Sequence, residues 1–424
     1  MINSKSERQK ANYHIYHLSP PKYLTKHFAR LRGFFIGQMA EALEERLLKI
    51  NNLYIKKRYN GIPFYRVSNN YVFDSQVETN CYLCKSARKD VPRTADCMKN
   101  GNGKDVLFTC VEICAGAGGQ ALGLELAGFS HLALVEIEWR YCSTLLINRP
   151  KWNVINCDVK EFNGTKYKGV DLFAGGVPCP PFSKSGKQLG KEDERDLFPD
   201  ALRLIEVIQP KAVLLENVRG IFDDIFSEYR SYIRSTIESF GYNVYWELLN
   251  SSDFGVPQLR PRAVLVGIRK ELDTGFKFPS PIGKKSTVGD ALYDLMAENG
   301  WEKVDEWRKG AMTIAPTIVG GSKKHGGADL GPTRARKAWA ALGVDGLGIA
   351  DVAPEKGFEG SPRLTNRMVA RIQGFPPTWE FSGRKTAVYR QIGNAFPPPV
   401  AEAVGRQIIA CLTNKNEYRC LGTH

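Results

Sequence analysis

A chain of 424 residues with a hydrophobic share of 43% and a charged share of 25% has the composition of an ordinary soluble protein and the length for two or three domains. No apolar run reaches transmembrane length, and no signal peptide, heptad or internal repeat is found, so the sequence reads as cytoplasmic with no membrane role. Its formal charge of +14 favours a polyanionic partner and is unevenly spread, because residues 1–104 hold nineteen Lys and Arg against eight Asp and Glu, +11 of the total.

That basic N-terminal extension predicts an amphipathic helix at 37–50, followed by the aromatic and basic run Tyr54, Lys56, Lys57, Arg58 and Tyr59. It reads either as an arm that adds contacts to a polyanion or as a packing extension. Cys81, Cys84 and Cys97 resemble part of a zinc site without a fourth ligand, so no metal is expected. The ten cysteines together, unevenly spaced, suit reduced thiols better than a disulfide framework.

From residue 107 the chain alternates strand and helix. Strands at 107–114, 131–136, 154–156, 170–174, 212–216, 243–249 and 263–268 predict an α/β fold with a doubly wound, mainly parallel sheet. The first strand runs into Gly116, Gly118, Gly119 and Gly123, a turn opening a helix, where a ligand reaches the backbone closely and meets free N–H groups. The second ends in Glu136, whose carboxylate suits both hydroxyls of a ribose; Glu138 is the alternative. Asp158 follows the third strand and suits an adenine amino group. The fourth delivers Pro178 and Cys179 into a loop rich in Gly, Pro and Ser, where a thiolate nucleophile belongs. Glu216 ends the fifth and is expected to face the same crevice.

In this order the blocks resemble the DNA (cytosine-5)-methyltransferase family, from about residue 106 to the final helix near Cys411. The resemblance rests on the glycine loop, Glu136, Asp158, Pro178-Cys179, Arg195-Asp196-Leu197-Phe198, Glu216-Asn217-Val218, and Gln258 with Arg260 and Arg262. It continues through the block from Arg363 to Pro376 and through Tyr389, Arg390, Gln391, Gly393 and Asn394 to Pro398. Glu112 and Cys114 depart from it, standing where the family often has Asp and Phe, which weakens the apolar contact to an adenine ring.

The resemblance implies a Rossmann-like methyltransferase sheet, S-adenosylmethionine as methyl donor, double-stranded DNA as substrate, and a target cytosine rotated out of the duplex. Cysteine addition to carbon 6 makes carbon 5 nucleophilic. Cys179 is then the nucleophile, Glu216 the acid at N3, and Arg262 and Arg260 the supporting cations. Cofactor contacts fall to Cys114, Ala115, Gly116, Gly118, Gly119, Glu136, Asp158, Val159, Pro178, Leu197, Asn394 and Ala395, and substrate contacts to Ser183, Ser185 and Gln258. The implied division is a first catalytic part at 105–272, a target-recognition domain inserted at 273–361, a second catalytic part at 362–415 and a tail at 416–424. Lys323, Lys324, His325, Arg334, Arg336 and Lys337 mark the inserted interval as basic. The final helix, 398–412, is expected to return beside the first strand.

The implied function is the modification enzyme of a bacterial restriction-modification system, a monomer acting beside a cognate endonuclease. A transfer RNA cytosine-5 methyltransferase shares the same core and is the nearest alternative. A nicotinamide-dependent oxidoreductase explains the glycine loop but not Cys179, Glu216 and Arg262 together. A silent DNA-binding regulator leaves the intact catalytic set unexplained.

Overall fold

The computed structural model describes residues 108–178, 196–283, 285–320 and 329–413, and the backbone of two strands nearer the N-terminus. The chain divides into two compact units, residues 1–93 and 94–424. In the first, β1 (Phe64–Val67) and β2 (Asn70–Phe73) pair antiparallel. The helix expected at 37–50 and the cysteines at 81, 84 and 97 lie outside the described residues. Among the described residues no helix is long and apolar enough to cross a membrane.

The second unit is built on a seven-stranded sheet. Its strands are β3 (Phe108–Ile113), β4 (Phe129–Val135), β5 (Val154–Ile155), β6 (Leu172–Gly176), β7 (Ala212–Val218), β8 (Tyr242–Asn250) and β9 (Pro261–Arg269), in the order β5-β4-β3-β6-β7-β9-β8. β5, β4, β3, β6 and β7 pair in parallel, while β9 runs antiparallel to both β7 and β8. The parallel strands read as nearly unbroken apolar runs because both faces are covered. Ala212 and Leu214 of β7 enter one core and Val213 and Leu215 the other.

β6 extends through Gly175 and Gly176, beyond the expected end at 174. Glycine is needed there rather than a loop: a Cβ on Gly175 would stand 2.7 Å from Ile113 Cγ1 and 3.0 Å from the Ile113 carbonyl of the neighbouring strand.

Helices α1 (Gly119–Ala127), α2 (Trp139–Asn148), α3 (Phe198–Ile208) and α4 (Ser227–Ser239) cover the sheet, with Ile205, Ile208, Ile233 and Ile237 of α3 and α4 in the core that Val213 enters. Beyond β9 come α5 (Val288–Ala297), α6 (Val304–Gly310), α7 (Thr333–Ala340), α8 (Asn366–Ile372) and α9 (Lys385–Asn394). Their buried side chains, among them Leu292, Trp307, Trp339, Met368, Ile372 and Ile392, share a third core. α8 and α9 therefore share a core with α5, α6 and α7, which Leu122 of α1 also enters.

The return to the sheet is made by α10 (Pro398–Leu412), whose Val400, Val404 and Ile408 join Cys110 of β3 and Leu172 of β6. It lies against α1 at glycine distance, since a Cβ on Gly123 would sit 2.3 Å from the Pro398 carbonyl.

Candidate active site

The sheet order reverses at β3, with β4 on one side and β6 on the other, and beyond the carboxyl ends of these strands lies a cavity of about 950 Å³. All five parallel strands aim their carboxyl ends at it. β9 contributes from the opposite direction: being antiparallel, it brings its first residues to the end of β7, with Arg262 directly across from Val218. Cys114, Gly116, Glu136, Glu138, Asp158, Val159, Pro178, Leu197, Glu216, Arg260, Arg262 and Asn394 all line the cavity.

In the half nearest β3 and β4, Glu136 is buried, and its carboxylate accepts the Gly116 N–H and the Glu138 N–H, both at 2.8 Å. Burial raises its pKa, and those N–H donors oppose the rise. Each oxygen keeps acceptor capacity toward the cavity. Asp158 caps the short turn 159–161 by accepting the Lys160 N–H at 3.0 Å. Cys114 stands at φ 51°, a left-handed backbone that costs a cysteine about 1–2 kcal/mol and turns the chain sharply off β3.

Four expected cofactor residues, Ala115, Gly118, Gly119 and Ala395, do not line the cavity. A Cβ on Gly118 would fall 2.7 Å from Leu145 Cδ2 and 2.8 Å from Trp379 Cζ2, and one on Gly119 would fall 2.2 Å from the Phe396 carbonyl. These two glycines admit neighbouring protein, and of the loop glycines at 116, 118 and 119 it is Gly116 that lines the cavity. Ala115 is buried with its N–H on the Val135 carbonyl at 3.1 Å. Ala395 offers its carbonyl to Arg260 and Gln373.

In the other half, Arg262 Nε holds Glu216 Oε1 at 2.8 Å, both side chains nearly enclosed. Gly176 leaves room beside the carboxylate, since a Cβ there would be 3.4 Å from Glu216 Oε2. Burial raises the Glu216 pKa while Arg262 and Arg260 pull it back, so the neutral acid lies nearer to hand than in an exposed glutamate. Asn217 donates to the Val177 carbonyl at 2.8 Å and ties β7 to the segment leading into Pro178. Cys179, Ser183 and Ser185 lie outside the described residues.

Arg260 and Gln258 differ from expectation. Arg260 has no exposed surface; its guanidinium donates to the Ile318 and Gly393 carbonyls at 2.7 Å and to the Ala395 carbonyl at 3.0 Å. It clamps two chain segments, at 318 and at 393–395, to its own at the cavity wall. Gln258, also fully buried, donates to Gln373 Oε1 at 2.9 Å and accepts the Ile318 N–H at 2.8 Å, which leaves its amide no reach toward a substrate.

The cavity also takes in Tyr141 and residues 317–320, which the sequence did not single out. Tyr141 sits in the first turn of the helix after Glu136, and its phenol is pushed up to about 12 by burial and by Glu136. Segment 317–320 arrives from the chain between α6 and α7: Gly320 meets Gly393 so closely that a Cβ on Gly393 would be 2.5 Å from Gly320 Cα. A paired glycine contact between distant segments leaves no local sequence signal.

The family described as C-5 cytosine-specific DNA methylase matches residues 108–410. The chain is 56% identical over 313 residues to the Type II methyltransferase M.NgoMIV of Neisseria gonorrhoeae, a match covering 73% of this chain and 99% of that protein. It is also 56% identical over 315 residues to the Type II methyltransferase M.NaeI of Lentzea aerocolonigenes, covering 73% and 76% respectively. In solved structures, the S. pombe Dnmt2 methyltransferase shares the fold with a TM-score of 0.51 at 17% identity, covering 72% of this chain and all of that one.

Proposed function

The chain belongs to the C-5 cytosine-specific DNA methylase family, and from that premise we propose how its residues divide the work. The protein transfers a methyl group from S-adenosylmethionine to carbon 5 of cytosine in DNA. The transfer RNA alternative gains nothing from relatives that are Type II methyltransferases.

The cavity suits the methyl donor. Ile137, Val159 and Leu197 offer an apolar wall, and two acids, Glu136 and Asp158, stand on separate strand ends where a ribose diol and an adenine amino group would meet them. Glu136 takes the ribose in preference to Glu138, because its buried carboxylate is fixed by the glycine loop itself. Carboxylates around the cavity also favour a cationic sulfonium. When bound, S-adenosylmethionine supplies an electrophilic methyl group.

The single observation that carries the base-side reading is the Glu216–Arg262 pair, enclosed at the same cavity on which Pro178 opens directly before Cys179. In the proposed cycle the Cys179 thiolate adds to carbon 6 of the flipped cytosine, forming a C–S bond and dearomatising the ring. Glu216, as the neutral acid, gives its proton to N3 and absorbs the charge, while Arg262 holds the O2 edge. Carbon 5 takes the methyl group. Its proton then leaves to water, β-elimination breaks the C–S bond and returns the thiolate, and N3 gives its proton back to Glu216. Preorganised groups of this kind are each worth about 10²–10³ in rate. Arg260 and Gln258 position the walls.

At the finer level, the enzyme acts as a monomer on duplex DNA in the bacterial cytoplasm, paired with a cognate restriction endonuclease. The test is covalent trapping with a duplex bearing 5-fluorocytosine in the presence of S-adenosylmethionine, followed by peptide mapping. An adduct on Cys179 is expected, and lost in Cys179→Ser. Active protein that leaves no linkage at Cys179 removes the nucleophile from this scheme.

A further inference from the structure

Several cations around the recognition core are neutralised where they stand: Arg308 pairs with Asp290, Lys303 with Glu359 and Arg363 with Asp345. Arg334, Arg336 and Lys337 are not. They share the eight-residue helix α7, which Trp339, without exposed surface, anchors in that core. Among the described residues no carboxylate forms an ion pair with any of them, and the first turn of α7 holds no acid. Arg334 and Lys337 are exposed; Arg336 is half-buried and its guanidinium bonds Thr333 Oγ1 at 3.4 Å. Like charges three residues apart repel on a helix, so helix stability does not account for them.

Beside α7 stands the turn 345–348, with Leu347 at its tip, 65% exposed. The backbone there is locked. Asp345 Oδ1 accepts the Leu347 N–H at 2.9 Å, the Asp345 N–H donates to the Pro362 carbonyl at 3.0 Å, and the Gly346 carbonyl accepts the Leu330 N–H at 3.1 Å. Glycines flank Leu347 and let two arginine side chains lie against the turn: a Cβ on Gly346 would be 3.1 Å from Arg336 Cγ, and one on Gly348 3.1 Å from Arg363 Nη1. An apolar side chain therefore stands in water between two arginines on a rigid support.

This ridge continues the wall of the active-site cavity. Leu330 is bonded to Gly346, and its neighbour Gly331 lies near Val319, where an added Cβ would be 3.9 Å from Val319 Cγ2. Val319 lines the cavity and is itself 45% exposed.

We propose that α7 and the turn 345–348 form the ridge that grips duplex DNA beside the flipped base, an inference that rests on the DNA methyltransferase reading. Arg334, Arg336 and Lys337 hold phosphates, which sets affinity and its salt dependence without reading sequence. Leu347 enters a groove as the apolar contact to a base edge or step and sets sequence preference. The unpartnered positive charge selects a polyanion, and the exposed apolar tip selects one with grooves that admit a side chain.

The test uses the full chain and a duplex whose methylated site has been mapped by bisulfite sequencing. Binding is measured by fluorescence anisotropy between 50 and 200 mM salt, roughly the range over which phosphate contacts dominate. Arg334→Gln with Lys337→Gln, which keeps helix-forming side chains, should weaken cognate and unrelated duplexes alike and reduce the slope of log affinity against log salt by about 2. Leu347→Ala should leave that slope unchanged and cut discrimination between the mapped site and single-base variants by about tenfold, the range of one lost base contact. S-adenosylmethionine affinity without DNA should stay unchanged in both. An unaltered slope in the double variant, or unaltered discrimination in Leu347→Ala, overturns the ridge, and so does a loss of cofactor affinity as large as the loss of DNA affinity. Wild-type methylation of duplex DNA in the same assay separates the two levels. With it present, those failures strike the ridge alone; with it absent, the enzymatic reading falls and the ridge with it.

Discussion

Glu216 faces opposed demands, being held by Arg262 as an anion while burial favours its neutral form. Its proton is retained to higher pH than on an exposed glutamate, so the competent acid is present below that raised pKa and lost as pH climbs through it. Glu216→Gln is expected to lower kcat by about 10²–10³ with little change in DNA affinity, and to erase the alkaline limb of the single-turnover pH profile that this acid imposes. A variant that loses affinity and keeps rate would reassign the residue to binding. Glu136 and Glu216 were legible as candidates because each stands at the carboxyl end of an apolar strand. The residues that support them were not. Gly118 and Gly119 looked like ligand glycines, yet their constraint comes from Trp379 and Phe396, far along the chain. Gln258 and Arg260 stood in a recognisable block, but three-dimensional packing alone shows that the Gln258 amide and the two terminal guanidinium nitrogens of Arg260 bond the Ile318, Gln373 and Gly393 segments.

Strands are the elements the alternation of apolar runs reports most directly, and the seven expected ones form the sheet with ends moved by a residue or two. Direction is a different matter: nothing local to 261–269 says that β9 runs antiparallel, although that reversal is what sets Arg262 beside Glu216. The α1–α10 contact is similarly nonlocal. It depends on Gly123, where an added methyl group would meet the Pro398 carbonyl and the Ala401 Cβ, and on Gly405, which faces Ala127. Backbone on the far side leaves little to give way. Gly123→Ala gains about 1 kcal/mol of helix propensity, yet overpacking of this kind costs about 1–3 kcal/mol or more. Net destabilisation is expected, read as a lower Tm by roughly 2–4 °C for each kcal/mol. A Tm at or above that of the parent would mean that α10 sits farther from α1 than these distances state.

On the scale of the whole molecule, charge and catalysis reside in different parts of the chain. Residues 1–104 hold +11 of the net +14, while the family match begins at residue 108. M.NgoMIV is covered over 99% of its length by 73% of this chain, so a relative of that size has no counterpart for a further quarter of the present sequence. The core of helices α5–α9 and the sheet, by contrast, are joined through Arg260, α8, α9 and the Gly320–Gly393 contact, none of which reaches back before residue 108. A chain that starts at residue 105 should therefore keep S-adenosylmethionine affinity, kcat and site preference. What it should lose is nonspecific affinity for duplex DNA, with a shallower salt dependence, because the N-terminal cations would no longer displace counterions. Filter binding to an unrelated duplex at several salt concentrations, beside methyl transfer to the mapped site, measures both. Parallel loss of cofactor binding and turnover would make the basic segment part of the catalytic fold, whereas an unchanged salt slope would leave its charge without a role on DNA.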